Sequence, residues 1–88
     1  MTWNYRVIEH DRPGSTDKSF GIHEVYYDDM GRVKTWTERA VGVTAYSVEG
    51  LAEEMDIMRE ALAKPVLIER ELERQLAERR SSGSGESW

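Results

Sequence analysis

One stretch of this chain, residues 19–39, carries large apolar side chains on both faces of what reads as a β-hairpin. Residues 19–27 and 33–39 are rich in β-branched and aromatic types, as strands are. Between them stands Asp28-Asp29-Met30-Gly31. Asp28 can accept hydrogen bonds from the backbone that follows, and Gly31 can take the positive φ of a type I turn closed by a bulge. With Gly31 as the bulge residue, Tyr27 lies opposite Val33, Val25 opposite Thr35 and His23 opposite Thr37. One face then carries Phe20, Ile22, Glu24, Tyr26, Lys34, Trp36 and Glu38. A sheet with one solvated face shows polar residues on that face. This hairpin does not, so both of its faces require a cover.

The rest of the chain offers covers. Trp3, Tyr5, Val7 and Glu9 alternate with Asn4, Arg6, Ile8 and His10, a first strand with one mainly apolar side. Residues 11–18 form a loop around Pro13-Gly14. After a connector at 40–46, in which Val41, Val43 and Ala45 alternate, Ser47 is placed to cap a helix over 48–63. Val48, Leu51, Ala52, Met55, Met58 and Leu62 make its apolar stripe, and Ile57 lies off it. Leu51, Met55, Met58 and Leu62 are expected to pack on the sheet. Pro65 ends this helix and suits the first turn of another. Ile68, Leu72 and Leu76 then recur at four-residue spacing among Glu and Arg. The alternative for 65–68 is a short strand, with the remainder fraying. Residues 81–88, Ser-Ser-Gly-Ser-Gly-Glu-Ser-Trp, are flexible by composition.

The expected fold is therefore α+β: a three-stranded antiparallel meander (β-β-β-α) packed by one helix, with a second, Pro-started helix. Residues 1–68 form the domain, 69–80 a charged helical extension and 81–88 a disordered tail.

Eighty-eight residues suffice for one small domain. A net charge of −5 opposes phosphate backbones, and the absence of cysteine excludes thiolate chemistry. Residues 1–6 precede no apolar signal-peptide core, and no run approaches the roughly 18 apolar residues of a membrane span. A cytoplasmic setting, without membrane partners, is expected.

No motif for catalysis, cofactor or metal stands out, so no catalytic, cofactor-binding or metal-ligating residue is assigned. His23 and Glu24 point to opposite faces of a strand and cannot act together. His23 and His10 can meet only if the register brings them close; with Tyr5 and Tyr27 they would line a pocket at the sheet edge. Asp28 and Asp29 are explained by the turn, Ser47 by the cap, and Met55 and Met58 by the core. Gly14, Gly21 and Gly31 lack phosphate-loop spacing. Lys34, Trp36 and Tyr26 resemble a base-stacking platform, but Glu24 and Glu38 share that face and oppose phosphate.

Two resemblances bear on the fold. Asn4-Tyr5-Arg6-Val7-Ile8, the run Gly21-Ile22-His23-Glu24-Val25-Tyr26-Tyr27-Asp28, Trp36-Thr37-Glu38 and Lys64-Pro65-Val66-Leu67 resemble a family of small uncharacterised bacterial proteins. The order strand–strand–strand–helix, with Gly42-Val43-Thr44 and Ser47-Val48-Glu49-Gly50-Leu51 before and into the helix, is similar to HicB-type antitoxin domains. The second likeness implies a sheet-on-helix fold and a regulatory role linked to nucleic acid.

From the residues, the function expected is a non-catalytic protein–protein interaction module, as a homodimer or an accessory subunit. Its expected contact residues are Ile22, Glu24, Tyr26, Trp36 and Glu38 on the hairpin, and Ile68, Leu72 and Leu76 on the second helix. The alternatives are an antitoxin-like regulator and a small-ligand-binding or enzymatic domain.

Overall fold

The computed structural model describes residues 2–85. Strands β1 (Thr2–Asp11), β2 (Lys18–Tyr27) and β3 (Val33–Trp36) form the antiparallel meander, followed by helix α1 (Val48–Arg59), which tightens into a 3-10 turn at Glu60–Ala63. Strand β4 (Leu67–Ile68) and helix α2 (Glu69–Gly85) follow.

The sheet has four strands in the order β3-β2-β1-β4, and β4 pairs with β1 in parallel. The α+β class stands, and the three-stranded meander becomes a mixed sheet. Pro65 breaks the first helix as its missing N–H requires. It does not start the second. The two residues of β4 intervene, with Leu67 beside Ile8 and Ile68 beside Glu9, and α2 begins at Glu69. Both alternatives for this region are thus partly realised: a short strand, then a helix. Residues 81–85 belong to α2, although their composition reads as tail, and 86–88 lie outside the described residues.

The hairpin turn forms as its residues dictate. Gly31 has φ of 79°, and the Asp28 carboxylate accepts from the backbone N–H of Met30 and Arg32. Tyr27 pairs with Val33 as expected, but the ladder then skips Lys34, so that Tyr26 faces Thr35 and Val25 faces Trp36. A one-residue slip moves a side chain to the opposite face. Trp36 therefore leaves the side of Ile22 and Tyr26 and joins Val25. The slip is favoured because it lets Trp36 pack against a core formed by Ile8, Val25 and Leu72, together with Tyr27, Val33 and Leu67.

The two faces have separate covers. On one, α2 lays Leu72 onto Ile8 and Val25, and Arg79 donates to the Val33 carbonyl at 2.6 Å. Leu72, only 4% exposed, is core and not an outward contact residue. The extension from residue 69 is thereby an integral second cover. On the other face, Tyr5 donates to Glu54 of α1 at 2.6 Å, and Met58 and Ala61 are buried. The expected stripe of Leu51, Met55, Met58 and Leu62 is only half used, since Met55 remains 59% and Leu62 66% exposed. The helix is held by buried Met58 and Ala61 and by the Tyr5–Glu54 bond, while Met55 and Leu62 stay clear of the sheet.

These burials set the mutational response. Leu72→Ala should cost about 2–4 kcal/mol, as truncation of a closely packed leucine does. Leu62→Ala should stay within about 0.5 kcal/mol, as exposed substitutions do. Urea unfolding of both variants checks the pair. Equal losses would show that Leu62 is packed as closely as Leu72, against the exposure described.

Candidate functional site

His10 and His23, the chain's two histidines, meet on the α2 face of the sheet. Cross-strand register does not make them neighbours: His10 lies opposite Ser19, and His23 opposite Arg6. They reach each other along the strands, across Gly21, which pairs with Ile8 between them. Gly21 makes the meeting possible. A Cβ there would come within 2.9 Å of the Ala40 Cβ and 3.3 Å of the His23 Nε2.

The two Nε2 atoms are 2.8 Å apart. His23 Nδ1 lies 2.8 Å from the Thr37 carbonyl, which can only accept, so that nitrogen carries a hydrogen. Nε2 of neutral His23 is then an acceptor for the Nε2–H of His10. His10 Nδ1 lies 3.0 Å from the Glu69 carboxylate at the start of α2. The chain Glu69–His10–His23–Thr37 is fully hydrogen-bonded when its three side chains share three protons. In that state Glu69 and His10 hold one proton between them. A fourth proton, on His23 Nε2, would set two N–H groups against each other.

His23 is 1% exposed. Burial holds its pKa below the usual histidine value, and the hydrogen bond to Thr37 opposes that only in part. His10 is partly open to a cavity of about 340 Å³ that also touches Ser19, Gly21, Glu38 and Arg39. Glu38, expected as a hairpin contact residue, stands here instead. Among the described residues no group of three or more His, Cys, Asp or Glu is arranged to hold a metal ion.

A second feature lies on the opposite face. The gap between α1 and the sheet is an apolar groove of about 410 Å³, lined by Ile22, Val43, Met55, Met58 and Leu62, with Asp56 and Arg59 at its lip. Ile22, Glu24 and Tyr26 share this face with Trp3 and Tyr5, whose rings meet edge to face. Glu24 accepts from the Tyr26 hydroxyl at 2.6 Å, and that bond raises the tyrosine's pKa. Glu54 likewise pushes Tyr5 up to about 12. Tyr27, placed beside the histidines by the sequence reading, instead donates to Asn4 at 2.8 Å and accepts from Arg6 at 3.1 Å on the α2 side. Ile68 and Leu76 are both half-buried.

The groove was illegible in the sequence because the stripe of α1 reads as core. The histidine contact carried one usable signal, a glycine two residues before His23 in an otherwise branched strand, which marks a close approach. No family model, no curated protein and no solved structure matches this chain.

The buried histidine gives the fold a definite pH response. A group whose pKa is depressed on folding stabilises the native state above its unfolded value, about 6.5 for histidine, and that stability is lost as pH falls through the folded value. Thermal melting should therefore be level from neutral to mildly alkaline pH and decline as pH drops below about 6.5. The lowered pKa values of Asp11, paired with Lys18, and of Asp28, bonded to the Arg32 backbone, belong to a separate, more acidic limb. A melting temperature flat from neutrality down to that acidic limb would show that His23 is not held neutral by burial.

Proposed function

We propose that this chain is a non-catalytic interaction module whose docking surface is the groove between α1 and the sheet. The observation that carries the reading is the half-used stripe of α1. Met55 and Leu62 are left largely exposed beside Ile22 and Val43. Phe20 and Trp3 add exposed aromatic surface on the same side of the sheet. Exposed apolar surface gathered in a groove of this kind marks contact sites on soluble proteins. Two methionines in the wall suit a partner's side chains of varied shape, because the thioether chain repacks easily.

Charge selects the partner class. From Glu49 to Ala63 the helix and its 3-10 end carry Glu49, Glu53, Glu54, Asp56 and Glu60 against Arg59 alone. A second copy would bring these carboxylates against their equals. The surface instead fits an amphipathic helical segment with an apolar stripe and Lys or Arg beside it, seated as helices seat in apolar grooves. The contact set differs from the one the sequence suggests. Ile22 stays within it, Leu72 and Trp36 belong to the core on the other face, and Met55 and Leu62 take their place.

A synthetic helical peptide with leucines at helical spacing and flanking lysines is the direct probe. It should shift the methyl signals of Met55 and Met58 in a saturable way, and bind more weakly as salt rises. The same peptide with glutamates for lysines should not bind. Leu62→Asp should abolish binding and leave the melting temperature nearly unchanged. Equal binding of both peptides, or none of either, sinks the reading. Concentration-dependent mass in the absence of peptide would replace it with self-association.

A further inference from the structure

We infer that the contact between His10 and His23 is a proton-sensitive latch on the start of α2. It holds Glu69 against the sheet while one hydrogen lies between the two Nε2 atoms, and lets go when a second arrives. At 2.8 Å the gap between those nitrogens has room for one hydrogen. His23 cannot change tautomer to make room, because its Nδ1–H is committed to the Thr37 carbonyl at 2.8 Å. His10 is committed as well, with Nδ1 3.0 Å from the Glu69 carboxylate. Each ring is fixed from behind, so a proton added to the pair enters the gap and drives the rings apart.

The two rings are not equally free to yield. His23 is buried and held by Thr37. His10 borders the cavity of about 340 Å³ beside Ser19, Phe20, Glu38 and Arg39. His10 is therefore the ring that turns out, and in doing so it leaves Glu69 behind. Glu69 is the first residue of α2 and follows directly on β4, whose two residues pair with Ile8 and Glu9 just before His10. Its bond to His10 ties the first turn of α2 to the end of β1. The ion pair left at that turn is Arg70 with Asp11, and exposed pairs of this kind hold weakly. Leu72, further along the helix, stays packed on Ile8 and Val25. The opening is thus confined to the junction of β4 and α2.

The charged groups facing the pair set the direction of the response. From β1, Arg6 lies across from His23 on the same face, bonded to the Tyr27 hydroxyl and the Pro65 carbonyl. From α2 come Glu69 and, beside it, Arg70. The segment after β3 supplies Glu38 and Arg39, and Lys18 of β2 is held on Asp11. Glu69 and the Thr37 carbonyl favour an added proton on His23, but burial, with His10 alongside, opposes it more strongly. The latch is closed at neutral pH and opens as pH falls below the ordinary histidine value of about 6.5.

With two histidines in the chain, each ring can be followed by nuclear magnetic resonance. Acidifying the full chain from neutral pH should move both sets of ring nitrogen signals in one shared step, as coupled groups do. At the same midpoint the Overhauser contact between the His10 ring and the Glu69 side chain should vanish. The amide signals of Ile68 and Arg70 should shift with it, while the Leu72 methyl signals hold still. In His10→Gln the side-chain amide can turn either its N–H or its oxygen to His23, so the step at Ile68 and Arg70 should be lost. Glu69→Ala keeps both rings and cuts the tie, and serves if His10→Gln fails to fold. At neutral pH it should already place the Ile68 and Arg70 amides where acid places them in the unaltered chain. Histidines that change in separate steps, or a His10–Glu69 contact that survives the ring step, would overturn the latch. So would Glu69→Ala amides that keep their closed positions, or Leu72 methyls that move with the rings, since the change would then be global unfolding.

Discussion

The packing of Leu72 on Ile8 and Val25 holds the rest of the molecule in place. A sheet apolar on both sides cannot rest on one helix, and this contact supplies the second cover. It draws α2 across the sheet and brings Glu69 to His10 and Arg79 to the Val33 carbonyl. It also gives Trp36 its reason to turn inward. The register of β3 and the histidine chain are both consequences of where one leucine sits.

Features fixed by neighbouring residues were legible in the sequence. The Asp28–Gly31 turn, the Ser47 cap accepting from Gly50 at 3.0 Å, and the end of the first helix before Pro65 all follow from local chemistry. Features that depend on distant contacts were not. Nothing in Val33-Lys34-Thr35-Trp36 announces that Lys34 drops out of the ladder, since the gain lies with Ile8 and Leu72. Two residues of β4 are too few for a pattern, and they pair because β1 offers an open edge. The same division applies to the two sites. His10 and His23 are separated in register and meet only because Gly21 leaves the space between them empty. The stripe on α1 looks complete in sequence, and its exposure depends on how far the helix stands from the sheet.

The two faces therefore differ in character. The α2 side is closed by Leu72, Leu67 and Trp36, and Arg6, Tyr27 and Asn4 are hydrogen-bonded in a row across it. The α1 side is held by the buried end at Met58 and Ala61 and by the bond from Tyr5 to Glu54. Stability resides mainly on the first side, which leaves the second free to keep apolar surface available. The histidine pair sits on the closed side, where burial and fixed hydrogen bonds orient its rings.

The parallel pairing of β4 with β1 has a kinetic meaning. Antiparallel neighbours such as β1 and β2 meet through a short loop, but Leu67 finds Ile8 only after the whole intervening chain has been laid down. Closing so long a loop is slow, and the meander must exist for a time with the Ile8–Val25 side bare. During that interval the growing chain displays an apolar strip bordered by an unpaired strand edge, a form prone to join another chain. Docking of α2 ends the interval. The last helix is in this sense the step that commits each chain to its own fold and not to its neighbour's.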